Sequence, residues 1–341
     1  MKVALDAMGG DRAPSVTVLG AVNFVNVCKD TDVILVGDEE IINDELKSKK
    51  YSKSRLTVVH ASEVIGMDES PLSAIKKKKD SSLARAVELC KSGEADAVVS
   101  AGNSGAAMAL ALLRFGKLPG VQRPAIATIM PVFRKPFVLL DAGANVDCDP
   151  SNLLQFAYMG SAYCNLILDR KDPKVALLSI GEEPAKGNEV TKAAFKLIDN
   201  STLNFIGNVE SKDIFFGKAD VVVCDGFAGN VVLKTSEGVA EGTIRMLKRE
   251  IVKIIAGRLG YALLKPAFVN FKRMTDYAEY GGAPLLGING NCIISHGRSS
   301  DIAIRNAIRI AADFAQSKVQ EAIAKEISLH ARATENTVVA G

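Results

Sequence analysis

Short runs of β-branched and other apolar residues alternate along the chain with longer stretches whose apolar positions recur at helical spacing. The runs predict strands at Val3–Asp6, Val33–Gly37, Leu56–His60, Ala97–Ala101, Ala125–Met130, Phe137–Asp141, Lys174–Ile180, Leu203–Gly207 and Val221–Cys224. Two more are expected near Pro284–Gly287 and Cys292–Ser295. Helical patterns fall between most of them, as at Val16–Cys28, Leu83–Ser92 and Ser104–Phe115. Strands without polar alternation, such as Asp220-Val221-Val222-Val223-Cys224, suit a sheet covered on both faces. The alternation predicts a doubly wound α/β fold with a mostly parallel sheet. No internal repeat and no Gly/Ser- or Pro-rich linker divides it, so residues 1–341 read as a single α/β domain.

Residues 239–278 depart from this alternation. Ile244, Leu247, Ile251, Ile254 and Ile255 make one helical stripe, with Arg245, Lys248, Arg249, Lys253 and Arg258 on other faces. Gly257, Gly260 and Pro266 predict a break across Leu259–Pro266, after which Ala267, Phe268, Phe271 and Met274 resume the stripe. The expectation is a helical hairpin. Its stems suit a dimer arm or a core helix pair. Its apolar tip, with Leu259, Leu263, Leu264 and Phe268 between Arg258, Lys265, Lys272 and Arg273, suits a membrane surface.

Composition narrows the chemistry. Of 341 residues, 48% are hydrophobic and 24% charged, as in an ordinary globular protein. A net charge of +3 is too small to mark a nucleic-acid partner. His60, His296 and His330 lie far apart, so no histidine-based metal motif exists, and no metal or other cofactor is expected. Cys28, Cys90, Cys148, Cys164, Cys224 and Cys292 stand singly and read as buried free thiols of a reducing compartment. The amino terminus is expected to form a strand rather than a leader, and no apolar run reaches membrane-spanning length. A cytoplasmic location is expected.

The 28 glycines are ordinary in number, but their placement is informative. Turns containing Gly with Asp or Asn follow four predicted strands: Asp6-Ala7-Met8-Gly9-Gly10-Asp11, Ser100-Ala101-Gly102-Asn103-Ser104-Gly105, Asp141-Ala142-Gly143-Ala144-Asn145, and Cys224-Asp225-Gly226-Phe227-Ala228-Gly229-Asn230. In a parallel sheet such turns gather at the carboxyl edge, where backbone amides and helix N-termini receive anions. None spells a dinucleotide fingerprint or a P-loop. The inference is a small phosphate-like anion held by amides. Arg123, Lys186 (followed by Gly187-Asn188) and Lys234 are candidate supplementary cations. His296, in Ser295-His296-Gly297-Arg298-Ser299-Ser300, is either an acid/base or oxyanion donor or only a turn residue. The run Lys76–Lys79 is a solvated helix face or a lure for an acidic partner or anionic surface.

Taken in order, these motifs resemble the bacterial phosphate acyltransferase family PlsX. The resemblance rests on the four turns, Ile75–Ser82, Arg123-Pro124, Lys186-Gly187-Asn188, Gly207-Asn208-Val209-Glu210, Gly282-Ala283-Pro284-Leu285-Leu286-Gly287 and His296-Gly297. It covers nearly the whole chain. Arg298 stands where Ser is commoner, and Ser211-Lys212-Asp213 where Gly-Arg-Asp is commoner. The resemblance implies a Rossmann-like α/β/α sandwich similar to phosphotransacetylases and isocitrate/isopropylmalate dehydrogenases, a homodimer, and peripheral membrane association. It implies transfer of a fatty acyl group from acyl carrier protein to inorganic phosphate. The acyl phosphate would feed a membrane glycerol-3-phosphate acyltransferase.

Phosphate is then the nucleophile and a thiolate the leaving group, so the protein must chiefly fix phosphate and aim donors at the oxyanion. Lys186 with the amides of Gly102–Gly105 is expected to hold phosphate, and Asn103, Asn145, Asn230 or His296 to donate to the oxyanion. Lys186, Asn230 and His296 are the expected catalytic residues. Substrate binding is expected of Asp6, Gly9, Gly10, Gly102, Asn103, Ser104, Gly105, Arg123, Asp141, Asn145, Asn188, Asp225, Gly226 and Lys234. Acidic acyl carrier protein is expected to dock on Lys248, Arg249, Lys253 and Arg258. The rival readings are a phosphotransacetylase using acyl-coenzyme A and a non-enzymatic membrane-associated scaffold.

Overall fold

A computed structural model describes residues 1–131, 135–275 and 281–339. The strands are β1 (Lys2–Asp6), β2 (Asp32–Gly37), β3 (Leu56–His60), β4 (Ala97–Ser100), β5 (Ala125–Ile126) and β6 (Thr128–Met130). They continue as β7 (Phe137–Leu140), β8 (Val175–Ser179), β9 (Phe205–Glu210), β10 (Val221–Val223), β11 (Ala283–Leu286) and β12 (Cys292–Ile294). The helices are α1 (Ser15–Val27), α2 (Glu39–Leu46), α3 (Pro71–Lys77), α4 (Ser82–Lys91), α5 (Ser104–Phe115) and α6 (Pro150–Leu168). After them come α7 (Glu189–Asp199), α8 (Gly226–Ile251), α9 (Ile255–Thr275), α10 (Asp301–Ser317) and α11 (Val319–Val339).

The strands sort into two sheets rather than one. The first has the order β3-β2-β1-β4-β12-β11-β5, the second β6-β7-β10-β8-β9. Both are mostly parallel; β11 pairs antiparallel with β5 and β12, and β6 with β7. The run expected as one strand, Ala125–Met130, is where the chain changes sheets: Ile126 pairs with Leu285 in the first and Thr128 with Leu139 in the second. Periodicity alone carries no sign of this, because both halves are buried and apolar.

One apolar cluster nevertheless spans both sheets. Val3, Leu5 and Val99 of the first share it with Val138, Leu140, Val221 and Val223 of the second. Helix α6 lies between, burying Phe156, Met159 and Tyr163. Gly160 lets it approach β10: a Cβ there would lie 2.5 Å from Val221 Cγ1. The helix begins with a capping box, Asp149 receiving the amide of Asn152 while Asn152 Oδ1 receives that of Asp149 at 2.9 Å.

The expected hairpin is present but differently built. Its first helix begins at Gly226, and its turn is Val252–Ile254, ahead of the expected break. Only Gly257 serves that turn, since a Cβ there would meet the Ile251 carbonyl oxygen at 1.9 Å. Gly260 and Pro266 lie inside α9. On so exposed a helix water serves the carbonyl that proline leaves unpaired. Leu259, Leu263 and Leu264 are therefore exposed in the body of α9 rather than at a tip, and Ile254 is the exposed apolar residue of the turn. Phe268 is half-buried, its ring 5.1 Å from that of Tyr261. The side chains of Arg258, Lys272 and Arg273, and residues 276–278, lie outside the described residues. No helix among the described residues is long and apolar enough to cross a membrane.

Candidate active site

The glycine turns gather at the carboxyl ends of strands in the two sheets. At the first edge the turns after β1, β4 and β12 interlock. Asp11 N donates to Gly297 O at 2.9 Å, and Ser295 N to Ser100 O at 2.8 Å. Arg12 Nη2 donates to Ser299 O at 2.7 Å. Gly9 and Gly10 are required here. A Cβ on Gly9 would lie 2.4 Å from Asp6 Oδ2 and 2.8 Å from Gly102 N, and Gly10 has φ +110°.

Asp6 sits beneath this knot, only 2% exposed. Ser82 Oγ donates to its Oδ1 at 2.6 Å and Ser100 Oγ to its Oδ2 at 2.7 Å, while Gly102 N donates to Ser100 Oγ. Burial pushes the Asp6 carboxyl up, and the two serine hydroxyls draw it back part of the way. Asp6 thus shapes the turn from below; it does not face a ligand as expected. Asn103 is likewise spent. Its Oδ1 caps α5 through Ala106 N at 3.0 Å, and its Nδ2 donates to Met67 O and Glu69 O at 3.1 and 2.9 Å. It has no donor left for an oxyanion. What the turn offers is the first turn of α5, where Ser104 is exposed and Gly105 half-buried. First-turn amides have no partner within their own helix.

The second edge is organised by Asp141, fully buried at the end of β7. Its Oδ1 accepts from Ile126 N, Gly143 N and Ala144 N at 3.0, 3.2 and 3.1 Å. Its Oδ2 accepts from Asn145 N and Nδ2 at 2.7 and 2.9 Å. Burial pushes this carboxyl up too, against the pull of those N–H donors. Asn145 Nδ2 also donates to Pro124 O at 2.8 Å, and Asn145 O receives Gly226 N at 2.7 Å. Asp141, Asn145 and Gly226 are therefore scaffold, where substrate contacts were expected. Asp225 and Asn188 cap α8 and α7 through Ala228 N and Thr191 N.

Asn230, half-buried on the first turns of α8, stands beside Gly143, whose Cβ would lie 3.6 Å from that of Asn230. Lys234 follows one helical turn later and is exposed. Arg123 Nη1 donates to Asp147 O at 2.7 Å. Lys186 is exposed in the turn after β8, which pairs directly with β10. His296 is exposed, and Arg298 N donates to its Nδ1 at 3.1 Å, which leaves the neutral ring's proton on Nε2.

The two edges meet through β5. Ala142 N donates to Ile126 O at 3.0 Å, and Ala142 packs in one apolar cluster with Ala106 and Ala107 of α5. Helix α5 and the Asp141–Asn145 turn thus border one apolar cluster, and Asn230 stands beside that turn at Gly143. A separate cavity of about 480 Å³ is lined by Asp38, Glu39, Glu40, Asn43 and His60, a set too acidic for phosphate.

Sequence reasoning missed the supports. Ser82 and Ser100 hold Asp6, yet Ser82 stood out only as the end of the Ile75–Ser82 stretch and Ser100 only as the start of a glycine turn. Asn208 on β9 is 9% exposed and donates through Nδ2 to Glu183 O at 2.9 Å, holding the turn that carries Lys186; its Oδ1 has no partner among the described residues. The cysteines are free as expected, but Cys28, Cys90 and Cys148 are only half-buried. Burial pushes the Cys90 and Cys148 thiols up to about 11 and Cys292 to about 12, so none of these is a ready thiolate nucleophile.

The sequence profile of a family described as "Fatty acid synthesis protein" matches residues 1–322. The chain is 56% identical over 328 residues to a phosphate acyltransferase from Thermodesulfovibrio yellowstonii, covering 96% of this chain and 94% of the relative. It is 50% identical over 327 residues to a phosphate acyltransferase from Geotalea daltonii, with the same coverage. The chain belongs to the phosphate acyltransferase family. Among solved structures it is similar to a phosphotransacetylase from Streptococcus pyogenes, with TM-score 0.62, 22% identity and 93% and 94% of the two chains covered. The EutD phosphotransacetylase from Staphylococcus aureus is similar at TM-score 0.60 and 20% identity, with 92% and 94% covered. These likenesses agree with the mostly parallel α/β fold expected from the strand–helix alternation and with the Rossmann-like α/β/α sandwich that the resemblance implied.

Proposed function

We propose that this phosphate acyltransferase moves a fatty acyl group from acyl carrier protein to inorganic phosphate. The observation that carries the reading is that glycine turns and helix N-termini rich in N–H groups close the carboxyl ends of strands in both sheets, with α5 and the Asp141–Asn145 turn bordering one apolar cluster and Asn230 beside Gly143. Phosphate sits on the amides of Ser104 and Gly105, opposite Asn230, with Lys186, Lys234 and Arg123 supplying positive charge around it. A phosphate oxygen forms a bond to the thioester carbonyl carbon and the carbon–sulfur bond breaks. The carrier leaves as a thiolate, which takes a proton from solvent. Asn230 Nδ2 and His296 Nε2–H are the donors assigned to the transient oxyanion. Asn103 and Asn145 are excluded from that role by their own hydrogen bonds. The acyl phosphate then suits a membrane glycerol-3-phosphate acyltransferase as its consumer.

The test is turnover of acyl-acyl carrier protein and acyl-coenzyme A at equal concentration, with acyl phosphate trapped by hydroxylamine. Phosphate-dependent turnover of the carrier thioester is expected to dominate. A preference for the coenzyme A thioester would favour the phosphotransacetylase reading, and no turnover of either would favour a scaffold.

We infer further that the protein is a cytoplasmic homodimer that touches membranes reversibly. Support comes from α8 and α9, which expose Val239, Met246, Leu259, Leu263 and Leu264, an apolar surface that stems would cover in a second copy and lipid would cover elsewhere. Sedimentation with anionic vesicles tests it: binding that survives Leu263→Glu with Leu264→Glu would overturn the lipid contact.

A further inference from the structure

The Lys76–Lys79 run is not absorbed by the phosphate site, yet it lies on its rim. Asn103, the cap of α5, holds the carbonyls of Met67 and Glu69 just before α3. Pro71, which opens α3, closes on Gly105: a Cβ on that glycine would lie 2.8 Å from Pro71 Cγ. Met67 closes in the same way on Gly297, at 2.6 Å. The segment that ends in the lysine run is thus fixed against two of the turns around the proposed phosphate position.

The charges of this rim divide into spent and unspent. Lys78 is spent, with Nζ donating to Val64 O at 2.7 Å and to Glu69. Of the acids, Glu69 and Asp80 are spent as well, while Asp68 is exposed. Asp80 receives Ser62 N and Oγ and Arg85 Nε, which hold its carboxyl well below the usual range. Lys76, Lys77 and Lys79 are exposed, with no ion pair among the described residues. Beside them Leu72 is 63% exposed and Met67 42%. The hairpin, where a carrier dock was expected, is the reverse. There Arg245 pairs with Glu241, and Arg249 and Lys253 with Glu250, while Lys248 lies 5.4 Å over the Tyr261 ring.

We propose that the acyl carrier protein docks on α3 and the turn after it, its acidic face against Lys76, Lys77 and Lys79 and an apolar side chain against Leu72. This rests on the acyl-transfer reading above and names the surface that serves it. The position brings the carrier's thioester to the α5 N-terminus without crossing the hairpin. The seven-residue α3 is too short to lie as an amphipathic anchor in a bilayer, which favours a protein over lipid.

The experiment is steady-state kinetics of the full chain and its K76E/K77E/K79E variant, with acyl-acyl carrier protein as the varied substrate. At low ionic strength kcat/KM for the carrier thioester is expected to fall about 10-fold or more, with the decline of rate against salt flattened or reversed. KM for phosphate is expected to hold, as is the rate with acyl-pantetheine, a thioester that carries no protein. K248E/R249E/K253E is expected to change kcat/KM less than K76E/K77E/K79E does. Should K76E/K77E/K79E fail to fold, K76Q/K77Q/K79Q removes the charge without repulsion and is expected to raise KM for the carrier in the same direction. An unchanged carrier KM and salt slope overturns the proposal. So does a loss confined to sedimentation with anionic vesicles, which would make the patch a lipid contact. If the unsubstituted protein makes no acyl phosphate from the carrier thioester, the functional reading itself fails.

Discussion

Replacing Asp141 by Asn exchanges one acceptor oxygen for an NH2 group in a site built entirely of donors. The carboxylate receives five N–H groups: three on Oδ1 and two on Oδ2. In the better of the two amide orientations Nδ2 replaces Oδ2 and faces Asn145 N and Asn145 Nδ2, formerly at 2.7 and 2.9 Å. Two donors lose their acceptor and meet another donor instead. Backbone N–H groups cannot turn round, and an orphaned buried donor costs about 1–3 kcal/mol, so a total of about 3 kcal/mol or more is expected. Asp6→Asn is the internal control. Its main partners are the hydroxyls of Ser82 and Ser100, which rotate and accept as readily as they donate, with the amides of Met8 and Gly9 as lesser, fixed donors. A cost of about 1 kcal/mol is expected there. Urea unfolding of both variants at pH 7 checks this, read from the midpoint at constant slope. A loss at Asp141→Asn of less than that at Asp6→Asn would refute the account of Asp141 as a fixed-donor hub.

Both carboxyls also give a pH signature. Burial raises each above its ordinary value of 3.8, so the stability contributed by protonation is full below that value and is lost as pH rises through the raised one. The stability margin of the unsubstituted protein over Asp6→Asn is therefore expected to shrink as pH rises above the ordinary carboxyl value of 3.8; a margin that grows would refute it. Gly9→Ala, whose Cβ would meet Asp6 Oδ2 and Gly102 N at 2.4 and 2.8 Å, is expected to cost about 1–3 kcal/mol. It should also weaken phosphate binding by shifting the turn, as a raised phosphate KM would show. Lys186→Ala is expected to raise phosphate KM about 10-fold, the loss of one charge-assisted contact; unchanged KM and kcat would remove Lys186 from the site.

Some of this was legible in advance. Most periodic segments fell within a residue or two of their observed ends, and α5 and β3 matched to the residue, because local propensity and capping act along the chain; the Leu203–Gly207 run stopped three residues short of the end of β9, and the hairpin expected from 239 begins at Gly226. The glycine turns after strands were legible for the same reason: their conformations are local.

The expected roles of Asp6, Asn103, Asp141 and Asn145 were not. Sequence shows that a polar side chain stands in a turn, but not whether its lone pairs are consumed by partners 76 or 94 residues away, as those of Asp6 are. Buried polar groups must find partners, and only the tertiary structure names them. The same reason hid the division into two sheets at Ala127. The burial of Ile126 and of Thr128 looks alike in one dimension, while their strand partners lie in different sheets. It also reversed the reading of the basic residues. Along the sequence the hairpin and the Lys76–Lys79 run are equally cationic. Folding pairs the hairpin charges with Glu241, Glu250 and Tyr261 and leaves Lys76, Lys77 and Lys79, next to α3, without an ion pair among the described residues. Sequence therefore determined the elements, the family and the kinds of group at the site. The tertiary structure decided which of those groups remain available to a ligand, because availability depends on distances between residues far apart in the chain.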